Sequence, residues 1–227
     1  MPKDTNYDLI IFDWDGTLSD SAGAIINSIK DASIKNNIEI PPEKSMRSII
    51  GLGLDEAFEK LFPDHLSHHL DGLKNDFREF YLNYVDDIAM FDGVDVGIKT
   101  LFNQGFKLAV ATGKSRRGLN NALNKTNLNA FFSFTRTMDE CFSKPHPQMI
   151  NEILENLFIE PERAIMVGDS IYDLEMARNA NIDSIAVTYG SQTHDELNHY
   201  PTKVLIDNPH DLFNWLPQNP KTPRMRV

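Results

Sequence analysis

Apolar residues fall along the chain in two rhythms. Short unbroken runs, rich in β-branched side chains and each closed by a polar turn, predict buried strands. Tyr7-Asp8-Leu9-Ile10-Ile11-Phe12 ends in Asp13-Trp14-Asp15-Gly16-Thr17. Phe106 to Ala111 runs into Thr112-Gly113, Ala164 to Val167 into Gly168-Asp169-Ser170, and Ser184 to Val187 into Thr188-Tyr189-Gly190. Lys203 to Ile206, running into Asp207-Asn208, is a weaker fifth candidate. Stretches of helical period lie between them, over Arg116 to Asn127, Pro147 to Phe158 and Asp173 to Ala180. Strands apolar on both faces, alternating with helices, predict an α/β fold: a Rossmann-like parallel sheet with helices on both faces. Ligands of such sheets bind beyond the carboxyl ends of the strands, so the polar strand ends are expected to meet along one edge.

Residues 20–86 keep only the helical rhythm. Ile25, Ile29 and Ala32 share one face, and Leu54, Ala57, Phe58 and Leu61 another. Leu66, Leu70, Leu73, Phe77, Phe80 and Tyr84 step by three and four, which predicts one long amphipathic helix. We read residues 20–86 as an all-helical insert in an α/β core made of 1–19 and 87–216, with Phe91-Asp92-Gly93-Val94 marking the return to the core. Residues 217–227, with Pro217, Pro220 and Pro223, read as a frayed tail.

Composition narrows the classes. With 22 Lys and Arg against 33 Asp and Glu, the net charge of −11 disfavours nucleic acid and anionic membranes as partners. The single cysteine, Cys141, excludes an internal disulfide or a cysteine-rich metal site and reads as a passive small side chain. No apolar run reaches the ~18 residues of a membrane span. Met1 to Tyr7 lacks the basic-then-apolar layout of a signal peptide. A cytoplasmic monomer or small homo-oligomer is the expectation.

Each polar strand end has an ordinary explanation by itself. Asp before Gly forms turns, Thr-Gly exits strands, and Asp169 with Asp173 could cap and flank a helix. Together, however, Asp13, Asp15, Thr112, Lys144, Asp169 and Asp173 bring carboxylates, a hydroxyl and an ammonium to one sheet edge. That set suits metal-assisted phosphoryl transfer. Carboxylates suit Mg²⁺, a metal and a lysine neutralise a transferring phosphoryl group, and a carboxylate can itself be the nucleophile.

Asp13-Trp14-Asp15-Gly16-Thr17-Leu18, Thr112-Gly113, Lys144-Pro145 and Gly168-Asp169-Ser170-Ile171-Tyr172-Asp173 resemble, in order, the four motifs of the haloacid dehalogenase superfamily. The chain is similar to its phosphoglycolate phosphatase-like branch, whose helical cap carries a glycine pair such as Gly51-Leu52-Gly53. The resemblance implies a Mg²⁺-dependent phosphatase for a small phosphorylated metabolite. Asp13 would be the nucleophile, and Asp15 the acid and then the base. The Asp13 carboxylate, the Asp15 carbonyl and Asp169 would hold the metal. Thr112 and the Gly113 amide would bind phosphoryl oxygens. Lys144 would balance charge and orient Asp13, Asp173 would support Lys144 or a metal-bound water, and Gly16 would permit a sharp turn. Halide-releasing relatives lack an acid at the position of Asp15, so its presence favours phosphate esters.

Two other readings use similar residues. A sugar-phosphate mutase of the same superfamily would need cap cations for a bisphosphate, and no clear cluster is legible. A phospho-receiver signalling domain would be far shorter and would leave Asp15 without a task. Hydride transfer is excluded because Gly51 and Gly53 lie in the helical insert and Glu56 replaces the third glycine. Gly113-Lys114-Ser115 is no P-loop, since Leu108 replaces its first glycine. His65, His68 and His69 read as a solvated helix face, and Trp14 is expected to pack away from Asp13 and Asp15. Among Lys44, Arg47, Lys60 and Arg78 of the insert, Arg47 and the adjacent Gly51 are the candidates for substrate contact.

Overall fold

The computed structural model describes residues 7–216. The tail over 217–227 lies outside the described residues. The chain runs β1 (Leu9–Phe12), α1 (Ala22–Lys35), α2 (Glu43–Ser48), α3 (Leu54–Leu61), a 3-10 turn (Asp64–His69) and α4 (Leu70–Tyr84). It continues through α5 (Val94–Asn103), β2 (Lys107–Thr112), α6 (Arg116–Thr126), β3 (Phe134–Thr137), α7 (Gln148–Leu157) and β4 (Ala164–Gly168). Next come α8 (Ile171–Asn179), β5 (Asp183–Val187), α9 (His194–Leu197), β6 (Leu205–Ile206) and α10 (Pro209–Trp215). All six strands are parallel, in the order β3-β2-β1-β4-β5-β6. The α/β Rossmann-like sheet expected from the strand rhythm is therefore present.

Alternation along β1 divides the core. Ile10 and Phe12 join one buried cluster with Ile98 of α5, Leu119 of α6 and Leu212 of α10. Leu9 and Ile11 join the opposite cluster with Ile153 of α7 and Met176 of α8. Because β1 buries both faces, its sequence is a continuous apolar run rather than an alternating one. After β3 the chain returns past β2 and β1 to build β4 on β1's other side. This topological switch opens a crevice beyond the carboxyl end of β1, with the ends of β2 and β4 on either side.

Helices α1 to α4 pack around their own cluster, which includes Ile29, Phe58 and Leu73. They also touch the loops at the strand ends. Gly53 N donates to Ser143 Oγ (2.9 Å), and Tyr172 OH donates to the Ser48 carbonyl (2.9 Å). The long helix expected from Leu66 onward begins only at Leu70. Leu66 N donates to the Pro63 carbonyl (2.9 Å), closing a three-residue turn instead. Steps of three and four keep Leu66 and Leu70 on the same cluster in either geometry, so the pattern did not separate them. The edge strand β3, Phe-Thr-Arg-Thr, is short and half polar, so no apolar run marks it in the sequence. No helix among the described residues is long and apolar enough to cross a membrane.

Candidate active site

Asp13 follows β1 directly, and its backbone N–H donates to the Val167 carbonyl on β4 (2.9 Å). This bond extends the ladder one residue past the strand and fixes the direction of the side chain. Asp13 is 0% exposed. Lys144 Nζ lies 2.7 Å from Asp13 Oδ1 as an ion pair without hydrogen-bond alignment, and Asp13 Oδ2 has no hydrogen-bond partner. Burial pushes the Asp13 carboxyl well above its usual pKa against the pull of Lys144, and the Asp173 and Asp169 charges push the same way.

Lys144 is 2% exposed and is shared with Asp173, whose Oδ1 accepts from Nζ at 2.7 Å. Burial disfavours its charge, but Asp13 and Asp173 outweigh that cost and hold its pKa above the ordinary lysine value. Asp173 Oδ2 accepts from Ser170 N (3.1 Å) and Ser170 Oγ (2.6 Å), so this carboxylate braces both the start of α8 and Lys144. The helix-flanking reading of Asp173 captured its place but not its burial.

Asp169 follows β4. Its Oδ1 accepts from Thr17 Oγ1 (3.0 Å), and its Oδ2 accepts from Ser191 N (2.7 Å) and Ser191 Oγ (2.6 Å). Burial and the Asp173 charge push its pKa up to about 6, despite those hydrogen bonds. Gly16 supplies the turn beside it at φ +81°. A Cβ there would lie 2.1 Å from Asp169 Oδ2. Only glycine permits both this backbone and this approach.

One ligand oxygen each from Asp13, Asp169 and Asp173 falls within a mutual 4.8 Å. The orphaned Asp13 Oδ2, buried among carboxylates, fits a divalent cation, because an unpaired buried anion is otherwise costly. Asp173 has both oxygens engaged by Lys144 and Ser170, whereas Asp13 has one free.

Thr112 ends β2 fully buried, and its Oγ1 accepts from Lys114 N (3.2 Å). A Cβ on Gly113 would meet the Gly51 carbonyl at 2.7 Å, so the Gly51–Gly53 loop reaches the end of β2. Gly51 and Gly113 both line a cavity of about 940 Å³ that extends from Asp13 and Asp15 between the helical segment and the sheet. Trp14 is buried in the core with its ring 6.3 Å from that of Phe132.

Asp15 lies in a network that the sequence did not disclose. Its Oδ1 accepts from Ser21 Oγ (2.6 Å) and from Lys114 Nζ (2.8 Å), and its Oδ2 lies 3.0 Å from the same ammonium. Lys114 Nζ also donates to Tyr81 OH on α4 (3.0 Å). Burial opposes the Lys114 charge, yet Asp15 and Tyr81 hold its pKa above the ordinary value. Burial raises the Tyr81 pKa against the nearby Lys114. The signal for Lys114 was its place two residues past Thr112. Tyr81 carried none, because on a helix it reads as one more amphipathic position.

Met46 is the buried residue of the short helix α2, and Arg47, about 100° further round, pairs with Glu43 (3.1 Å). Lys60 donates to Tyr172 OH (2.6 Å), and Lys44 lies 3.9 Å from Glu196. Arg78 lines the cavity and donates to Asn75 (2.9 Å). The His68 and His69 rings lie 4.0 Å apart on the 3-10 turn, and the side chain of His65 lies outside the described residues. Cys141 sits 3.7 Å from Glu152, and burial with the Glu152 charge raises its thiol to about 11, consistent with a passive role.

A parallel sheet with buried carboxylates and a lysine gathered at its switch point is suited to phosphoryl transfer. The family model of the haloacid dehalogenase-like hydrolases matches residues 10–187, and the chain belongs to that family. It is similar to the "Probable phosphatase IndB" of Dickeya dadantii, 31% identical over 88% of this chain and 89% of the relative. It is similar also to the pyrophosphatase PpaX of Anoxybacillus flavithermus, 28% identical over 93% of this chain and 97% of that one. A solved structure described as a predicted phosphoglycolate phosphatase from Haemophilus somnus shares the fold with a TM-score of 0.81. It is 23% identical over 92% of this chain and 98% of that one.

Proposed function

We propose that the protein is a cytoplasmic, magnesium-dependent phosphatase that hydrolyses a small phosphorylated metabolite through a phosphoaspartyl intermediate on Asp13. The observation that carries this reading is the buried Asp13 carboxylate, open at Oδ2 and paired with Lys144 at Oδ1. The names of the relatives, a phosphatase and a pyrophosphatase, support it.

In this reading Asp13 attacks phosphorus, forming an O–P bond, while the bond to the leaving oxygen breaks and its electron pair stays on that oxygen. Asp15 donates a proton to the leaving oxygen and then takes one from the water that cleaves the phosphoaspartate. Thr112 Oγ1 and the Gly113 amide hold phosphoryl oxygens, and Lys144 offsets part of the burial cost of the Asp13 charge and aims the carboxylate. Ser21 sets the direction of Asp15. The Asp13 carboxylate, the Asp15 backbone carbonyl and Asp169 would hold Mg²⁺, which when bound neutralises charge on the phosphoryl group. The helical segment covers the cavity as a cap that limits water and selects substrate.

The test is phosphate release from a panel of phosphorylated metabolites. Turnover is expected with Mg²⁺ and not with EDTA. Asp13→Asn is expected to lower it by about 10³-fold or more while circular dichroism stays native. Activity that survives chelation, or survives in Asp13→Asn, overturns the reading.

A further inference from the structure

Lys114 is the one cation of the cavity, among the described residues, that contacts Asp15. Of the other cations of the lining, Arg78, Arg117 and Lys125, none pairs with Asp15. Arg78 pairs with Asn75, and Lys125 Nζ donates to the carbonyls of Val85, Asp86 and Ile88. Lys114 instead points inward, with its side chain 11% exposed, and its partners come from two layers of the fold. Asp15 belongs to the β1 turn and Tyr81 to α4. The Tyr81 ring also lies 5.3 Å from Nζ. An ammonium held this way is already desolvated and aimed, so it loses little on exchanging one anion for another.

Geometry then limits what the exchange partner can be. Resting on the phosphatase reading, the leaving oxygen must come within hydrogen-bond reach of Asp15, roughly 2.6–3.2 Å. Lys114 Nζ is 2.8 and 3.0 Å from the two Asp15 oxygens. An atom two or three bonds beyond the leaving oxygen is therefore within reach of Nζ.

We propose that Lys114 is a specificity-determining residue. It leaves Asp15 for a second anionic group carried by the leaving half of the substrate, a carboxylate or phosphate two or three bonds from the bridging oxygen. Its departure leaves Oδ1 held by Ser21 and frees Asp15 Oδ2 to face that bridging oxygen. A phosphate ester with a neutral leaving alcohol gives Lys114 nothing to exchange for, and Asp15 stays engaged. The net charge of −11 gives no long-range attraction for such dianions, so the discrimination is local.

The experiment measures kcat/KM for phosphoglycolate and pyrophosphate, the carboxylate and phosphate versions, against 2-hydroxyethyl phosphate, which replaces the second anion by a hydroxyl. Wild type is expected to favour at least one of the anionic substrates by about tenfold or more. Lys114→Met is expected to collapse that ratio, and Lys114→Arg to keep most of it. A merely structural lysine would lower all three values together and leave the ratio unmoved. Equal values in wild type, or an unchanged ratio in Lys114→Met, overturn the assignment even if the variant is less stable, because the wild-type ratio needs no variant. Hydrolysis of no phosphate ester, p-nitrophenyl phosphate included, overturns the phosphatase reading itself, and this assignment with it. Hydrolysis without discrimination overturns Lys114 alone.

Discussion

Replacing Lys144 by Met tests the electrostatic design of the site. Lys144, Asp13 and Asp173 are 2%, 0% and 0% exposed, so neither carboxylate can turn to water when the ammonium is removed. Two buried anions would be left facing each other, with Asp169 beside them. Breaking one partner out of a buried ion pair costs about 3–5 kcal/mol. Unfolding entropy for a chain of 227 residues is roughly 0.5 kcal/mol per degree, so the melting temperature at pH 7 should fall by about 6–10 °C. The loss should shrink on acidification. Without Lys144 the folded pKa of the Asp13 carboxyl, already raised by burial, rises further above its unfolded value. The folded state then binds more protons than the unfolded one, and stability increases as pH falls from 7 towards 5. Adding Asp13→Asn removes one of the stranded charges and should recover about half of the loss. Thermal melts of the metal-free single and double variants at pH 7 and pH 5 measure all three effects. A shift of less than about 2 °C, or one of equal size at both pH values, would refute the reasoning.

Two further outcomes follow from the same residues. Asp15→Asn should slow phosphoglycolate, an alkyl phosphate with a second anion, by about 10²-fold or more but nitrophenyl phosphate far less, because the nitrophenolate leaves without a proton; equal slowing counts against proton donation by Asp15. In the metal-free protein the Asp169 carboxyl, raised to about 6, costs stability that is fully felt above pH 6 and disappears as pH falls towards its unfolded value near 4. The apo protein should therefore melt higher at pH 5 than at pH 7, by an amount worth about 1 kcal/mol, and Mg²⁺ at pH 7 should abolish the difference. A melting temperature indifferent to both pH and Mg²⁺ contradicts it.

How far the chain could be read before its structure was seen differs from element to element. Strands β1, β2, β4 and β5 stood out because each is buried on both faces, which leaves an unbroken apolar run. Strand β3 lies at the sheet edge, half exposed, and carries Arg136 beside two threonines, so no such run marks it. Arg47 is cationic and precedes the glycine loop, but which residue of α2 is buried depends on one helical step, and Met46 takes that place.

The local order of residues was enough to establish the polar strand ends, the parallel sheet they imply, and the carboxylates and lysine at its carboxyl edge. All of these are short-range consequences of hydrophobic period and turn chemistry. The pairing of those groups depended on distances between residues far apart in the chain. That Lys144 divides itself between Asp13 and Asp173, that Ser191 and Thr17 hold Asp169, and that Lys114 joins Asp15 to Tyr81 all came from the packing of separate elements. Charge strength inside a protein depends on burial and on neighbours a few ångströms away, and a linear pattern of residues holds neither quantity.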